Sequence, residues 1–123
     1  MAVRVYAANL DFTKSRRAVK QHLQHLLAIR PAVVGAQEAK RFRLREVVGR
    51  LARVAQDGRS PSTRGSAIIT RGLKVGQLRR YFGGRSSATL PRYIVTLPVR
   101  LPDGGALIVI SAHPPPKRAG KAA

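Results

Sequence analysis

The chain has no cysteine and no tryptophan, and aromatic residues make up only 5% of its 123 positions. Without cysteine there can be neither a disulfide nor a thiolate metal site, and a reducing compartment suits the chain. Because aromatics are scarce, Val, Leu, Ile and Ala must pack the core. No apolar run approaches the ~20 residues of a membrane helix. The first residues combine an early charge at Arg4 with an apolar run that is too short for a signal peptide. We therefore predict a soluble, cytoplasmic protein.

Acidic residues are also scarce. Five Asp and Glu stand against 24 Lys and Arg, which gives a net charge of +19. Such a field attracts polyanions, so the composition predicts a nucleic acid as partner. An arginine-rich, high-GC genome or a basic tail would also give this balance. The basic residues are spread along the chain, which favours a basic face over a single tail.

Sequence patterns predict an α/β fold with a βαβ start followed by antiparallel strands. Residues 3–8 alternate as a strand does, and Thr13 or Ser15 can cap a helix that continues to residue 30. Pro31 ends this helix, and a buried strand follows over residues 32–36. This order is typical of a parallel, right-handed βαβ unit.

The remainder is predicted to contain one more helix and then mainly strands. Leucines and valines three or four apart indicate a helix over residues 43–55, and the strand near Gly76 is interrupted. The predicted strands are 66–70, 73–82, 92–100 and 106–112, and the predicted loops are 56–65, 83–87 and the hairpin turn 101–105. We expect one domain over residues 1–123, with 114–123 forming a flexible, basic, proline-rich tail.

Polar side chains follow three of these strands. Glu38 follows the buried strand, Asn9 the first strand and His113 the last. Amide and carboxylate oxygens suit Mg²⁺, an imidazole can contact a phosphate oxygen, and Arg92 could clamp the same phosphate. Each has a simpler explanation: Asn9 as a turn residue, His113 as a strand terminator, and Glu38 as the ion-pair partner of Lys40, Arg41 or Arg43. Their joint placement favours the functional interpretation.

Four segments together resemble the endonuclease/exonuclease/phosphatase superfamily, which has the DNase I-like fold. They are Val5-Tyr-Ala-Ala-Asn9-Leu10, Val34-Gly-Ala-Gln37-Glu38, Gly65-Ser-Ala-Ile-Ile and Ile110-Ser-Ala-His113-Pro-Pro-Pro. The order and spacing match the family's N-terminal half over nearly the whole chain. The resemblance implies that Glu38, with Asn9 beside it, binds an essential Mg²⁺ or Mn²⁺. It also implies that His113, with Pro116 in the same element, contacts the scissile phosphate, together with Arg92.

The chain also departs from the family. Members are about twice as long, and their second half carries an Asp-x-Asn element and an Asp-His pair, neither of which occurs here. The second sheet of their sandwich comes largely from that half. We therefore expect a fragment, a truncated gene product, or a chain completed by a missing C-terminal half or a second chain.

Two functions follow. The first is a metal-dependent phosphodiesterase, a nuclease on DNA or RNA, represented by its N-terminal half. Its nucleic-acid backbone contacts would be Arg41, Arg43, Arg45, Arg64, Arg79, Arg80 and Arg85. The second is a non-catalytic, basic nucleic-acid-binding or structural module derived from that fold.

Overall fold

The structure is a computed structural model that describes residues 2–10, 15–37, 43–56, 66–85 and 91–112, without the side chains of 82–85 and 91–93. The described part is a mixed α/β fold with two open sheets and two short helices. The predicted α/β class, with a βαβ start and antiparallel strands after it, is confirmed at this level. The predicted tail at 114–123 lies outside the described residues.

The first sheet begins with the predicted βαβ unit. Strand β1 (Arg4–Asn9) leads through helix α1 (Arg16–Leu26) to strand β2 (Ala32–Gln37), and β1 and β2 pair in parallel. Strands β3 (Arg53–Gln56) and β4 (Ala67–Arg71) complete the sheet in the order β1-β2-β4-β3, and β4 is antiparallel to both of its neighbours. The carboxyl ends of β1 and β2 therefore lie at one edge of this sheet.

Helix α1 starts where the sequence predicts but ends earlier. Ser15 Oγ accepts a hydrogen bond from the Ala18 N–H at 3.2 Å and caps the first turn. The helix ends at Leu26, four residues before the predicted end. Arg30 precedes Pro31, and a residue before proline is disfavoured in the α region, so the helix does not extend to residue 30. In addition, the Arg71 guanidinium donates to the Leu27 carbonyl and satisfies an acceptor at the helix end.

The predicted helix over residues 43–55 is wrong in its second half. Helix α2 spans only Leu44–Val48, a 3-10 turn covers Gly49–Leu51, and the chain then enters β3. Gly49 has φ 57° and ψ −128°, a conformation that favours glycine and cannot continue an α-helix. Residues 53–56 form β3 because they pair with β4. The spacing of the apolar residues up to Val54 had matched a helix, and the pairing overrides that local pattern.

The second sheet is built around one long strand. Strand β7 (Pro91–Arg100) pairs with β5 (Lys74–Val75) and β6 (Arg79–Arg85), and also with β8 (Ala106–Ser111), always antiparallel. The predicted interruption near Gly76 is confirmed, since it separates β5 from β6. The family resemblance implied that a second sheet would come largely from sequence beyond this chain, whereas residues 74–111 already form one.

The sequence also predicted the two connections that flank β7, and the structure confirms one of them and corrects the other. The turn over residues 101–105 is confirmed: the Leu101 N–H donates to the Gly105 carbonyl at 2.7 Å, and Gly104 has φ 93°. The predicted loop over residues 83–87 is wrong for its first three positions, which extend β6 across an irregular register between Phe82 and Arg85. A pair of glycines inside a strand commonly marks such an irregularity.

The first sheet is covered on both faces. On one face it packs against α1 and α2 through a cluster that includes Leu23, Leu44 and Ile69. On the other it packs against the second sheet through Val33, Ile68, Val95, Leu97 and Val99. Successive residues of a strand point to opposite faces, so neighbours such as Val33 and Val34 enter different clusters. The layers are helices, first sheet and second sheet.

None of the helices within the described ranges has the length and apolarity needed to cross a membrane.

Candidate functional site

The ends of β1 and β2 meet at one edge of the first sheet. Asn9 is in register with Gln37, and the next amide, the Leu10 N–H, donates to the Gln37 carbonyl at 3.0 Å. Leu10 is buried and fixes the chain as it leaves the strand, while Asn9 is exposed. The structure thus places an accessible amide side chain directly beside the last residue of β2.

The second sheet is joined to this edge through Ser111, the last residue of β8. Gln37 Nε2 donates to Ser111 Oγ at 3.1 Å, and Ser111 Oγ in turn donates to the Ala36 carbonyl at 3.2 Å. Ser111 is only 1% exposed, so these two hydrogen bonds satisfy a hydroxyl that would be costly to bury alone. They also fix the end of β8 against the end of β2.

Both of these strand ends lead directly into predicted site residues. Glu38 immediately follows Gln37, and His113 is separated from Ser111 by Ala112 alone. Glu38 and His113 themselves lie outside the described residues. The ends of β1, β2 and β8 do lie together, as the sequence interpretation required, and the roles of the two residues remain predictions.

The backbone of β7 brings Arg92 toward the same end of the second sheet. Ser111 pairs with Val95, and Arg92 lies three positions before Val95 in the strand. Arg85 of β6 pairs with Pro91, one residue from Arg92. The side chains of Arg85 and Arg92 are not described.

Two further predicted arginines flank the start of α2. The Leu44 N–H donates to Gln56 Oε1 at 2.8 Å, and Gln56 ends β3 in register with the start of β4. The start of α2, with Arg43 and Arg45, therefore lies at the same end of the first sheet as Asn9. Both arginines are exposed. This glutamine replaces a side-chain cap, because Arg43 at the N-cap makes no such bond.

The other predicted backbone contacts are more scattered. Arg79 is exposed and Arg80 is half-buried on β6, next to each other and therefore on opposite faces of the second sheet. Arg41 and Arg64 lie outside the described residues. The described part of the chain thus brings Arg43, Arg45, Arg85 and Arg92 toward the edge with Asn9, and leaves Arg79 on the outer face.

The donor types at this edge suit a hard divalent cation. An asparagine amide beside a strand that leads into a glutamate provides oxygen ligands, which Mg²⁺ accepts while retaining several waters. Within the described ranges, no group of three or more His, Asp or Glu residues could hold a metal ion.

Sequence reasoning missed Ser111. The residue ends an otherwise apolar strand, Ala-Leu-Ile-Val-Ile-Ser. The alternation of that strand places Ser111 on the same face as Leu107 and Val109, which pack against the core between the sheets. A small polar residue at an inward position, two residues before a histidine, was the signal that could have identified it.

Comparison with protein-family models gives no match to this chain, and comparison with curated protein sequences gives none either.

Proposed function

We propose that this chain forms the metal- and phosphate-binding part of a phosphodiesterase site that acts on nucleic acid. The observation that carries the proposal is the joining of three strand ends, in which Asn9 lies beside Gln37 and Gln37 is hydrogen-bonded to Ser111. This arrangement favours convergence of Asn9, Glu38 and His113 at one edge. The resemblance to the DNase I-like superfamily assigns these residues to metal and phosphate.

Each residue has a distinct role in this proposal. Glu38 and Asn9 would hold Mg²⁺ or Mn²⁺, which when bound polarises the phosphate and stabilises the leaving oxygen. His113 would donate an imidazole N–H to a phosphate oxygen, and Arg92 would offer its guanidinium to the same group. Gln37 and Ser111 are positioning residues, because their hydrogen bond holds the two strand ends together.

The sequence contains no Asp-x-Asn element, to which the resemblance assigns the orientation of the attacking water. Metal and phosphate binding is therefore the part of the function that we assign to this chain itself. Groups that act as a unit lose most of their effect when one is missing. A test of metal binding must consequently stand beside a test of hydrolysis.

Mn²⁺ titration of the full chain, followed by ¹H–¹⁵N NMR, tests the metal site directly. We expect selective paramagnetic broadening of the Asn9, Gln37 and Ala112 amides. Glu38→Gln should weaken Mn²⁺ binding at least about tenfold, because even the loss of a residue that only orients a metal ligand lowers metal affinity by about that factor. Asp103→Asn is the matched control: it removes the same charge in the distant 101–105 turn, where the new amide oxygen can still accept from the Gly105 N–H. Equal broadening in the two variants would contradict the proposal.

Cleavage of labelled DNA and RNA duplexes and single strands in Mg²⁺ tests the reaction. Any hydrolysis by this chain should disappear in Glu38→Gln and persist in Asp103→Asn. Cleavage that is unchanged by Glu38→Gln would show that the activity comes from elsewhere.

A second candidate function is nucleic-acid binding without catalysis. It is favoured by the charge of +19 and by the many exposed arginines on both sheets and on α1. A gel shift that weakens steeply with salt, with no turnover in Mg²⁺ or Mn²⁺ and no selective Mn²⁺ broadening, would support this function over the first.

A further inference from the structure

A cavity of about 510 Å³ at the other end of the first sheet is lined by five cationic side chains. Three chain segments meet there: Arg30, two residues before β2, the 3-10 turn leading into β3, and the turn between β4 and β5. The cationic residues are Arg30, Arg50, Arg53, Arg71 and Lys74. None of them belongs to the set predicted from sequence to contact nucleic acid.

No acidic residue is among the described residues that line this cavity. The two acids in the described ranges, Glu46 and Asp103, lie elsewhere. Like charges gathered in a concave surface repel one another, and an anion relieves that repulsion. Four of the five cations are guanidinium groups, whose planar fork matches phosphate oxygens in pairs.

Two of the arginines are positioned by specific contacts. Arg71 Nη1 donates to the Leu27 carbonyl at the end of α1, which ties its guanidinium between helix and sheet. The aliphatic part of Arg30 lies over Gly72, where an added Cβ would come within 3.3 Å of Arg30 Cβ. Gly72 also has φ +76°, which favours glycine. Such ordering before binding reduces the entropy lost when an anion is held.

We propose that this cavity is a phosphate-binding site, separate from the edge that carries Asn9 and Gln37. Nucleic acid is the source of phosphate that we assign to it, and that choice rests on the proposed function. The six residues of β2 span the two ends of the sheet, a distance of roughly 20 Å. The axis of duplex DNA rises about 3.4 Å per base pair, so roughly six base pairs cover this distance. The cavity would hold the backbone about that far from the proposed reaction edge.

Titration of the full chain with inorganic phosphate, followed by ¹H–¹⁵N NMR, tests the site without any need for catalysis or metal. We expect saturable shifts at residues 50–53 and 71–74. Arg50→Gln/Arg53→Gln should weaken phosphate binding roughly fivefold, as expected for the loss of two exposed charge contacts. The matched control, Arg17→Gln/Lys20→Gln, removes two positive charges from exposed positions of α1 outside the cavity and should leave the affinity nearly unchanged. Equal weakening in both double variants, or shifts spread over all exposed arginines, would overturn the site.

A second arm identifies the source of the phosphate. Hairpin duplexes with stems of 4 and 12 base pairs and the same loop are compared at one ionic strength, with and without the cavity substitutions. A loss of affinity for the longer duplex only would support a backbone that spans both ends of the sheet. If inorganic phosphate binds in the cavity and the substitutions affect neither duplex, the nucleic-acid assignment is wrong and a small phosphoester is the ligand. A failed Mn²⁺ titration at Glu38 leaves both arms valid, so the two proposals fail separately.

Discussion

Gln37 and Ser111 lie 74 positions apart in the chain, and their side chains are joined by a hydrogen bond of 3.1 Å from Nε2 to Oγ. This bond connects the two sheets at the edge where the chain leads to three predicted site residues, Asn9, Glu38 and His113. The Ser111 hydroxyl also donates to the Ala36 carbonyl, so it accepts one hydrogen bond and donates another. One buried hydroxyl therefore links the end of β8 to the end of β2.

Ser111→Ala should lower the free energy of unfolding by about 1–3 kcal/mol, because it leaves a buried carbonyl and an amide without their partner. In a double-mutant cycle with Gln37→Leu, chemical denaturation should give a coupling energy of about 0.5–1.5 kcal/mol for the direct bond. Ile110→Ala, at the neighbouring exposed position, is the control and should change stability little. Additivity of Gln37→Leu and Ser111→Ala would show that the two side chains do not interact in solution.

Ser15→Ala should destabilise the chain by about 1 kcal/mol, since the Ser15 side chain caps α1 through the Ala18 N–H. Ser15→Asp should retain or exceed the wild-type stability. An aspartate can cap in the same way, and the first turn of α1 contains no acid to oppose the helix dipole. Thermal unfolding at low salt separates the two variants. A loss of stability in Ser15→Asp equal to that in Ser15→Ala would contradict the capping role.

Gly49→Ala should cost about 1–3 kcal/mol through the backbone alone, because φ 57° with ψ −128° is a combination that residues with a Cβ rarely adopt. The Gly49 φ is 57°, and an added Cβ would meet no atom within 4 Å, so no steric contact competes with this explanation. Gly35→Ala is the matched control, because its Cβ would lie at 3.9 Å from Ser111, an ordinary contact. Urea denaturation should show a clear loss for Gly49→Ala and little change for Gly35→Ala. A neutral Gly49→Ala would mean that the chain continues as a helix beyond Val48, as the sequence pattern predicted.

The segment around Gly49 shows why local pattern predicted most of the fold but not all of it. Strands β1, β2, β4, β7 and β8 were predicted to within a residue or two, because each carries a long apolar or alternating run between clear breakers. Leu51 and Val54 happened to continue the spacing of Leu44 and Val47, and β3 is only four residues long. Its identity comes from pairing with β4, a contact that no local pattern contains.

The candidate site was predictable in part for a related reason. Polar residues at or just beyond the ends of predicted strands can be read directly from the sequence, which is how Asn9, Glu38 and His113 became candidates. The hydrogen bond between Gln37 and Ser111 could not be read in this way, because it requires the register of two different sheets. The cationic cavity formed by three separate segments was also invisible, since arginines are frequent throughout the chain.

Leu97→Ala should cost about 2–5 kcal/mol, whereas Ile108→Ala should cost far less, although both residues are large and lie on paired strands of the second sheet. Leu97 is 2% exposed and packs in the core between the sheets, and its removal leaves a cavity there. Ile108 is 66% exposed on the outer face and loses little burial on truncation. Denaturant unfolding of the two variants measures this difference. Similar losses would show that the outer face of the second sheet is covered in solution, whereas a large loss in Leu97→Ala alone would confirm that the two sheets pack as described.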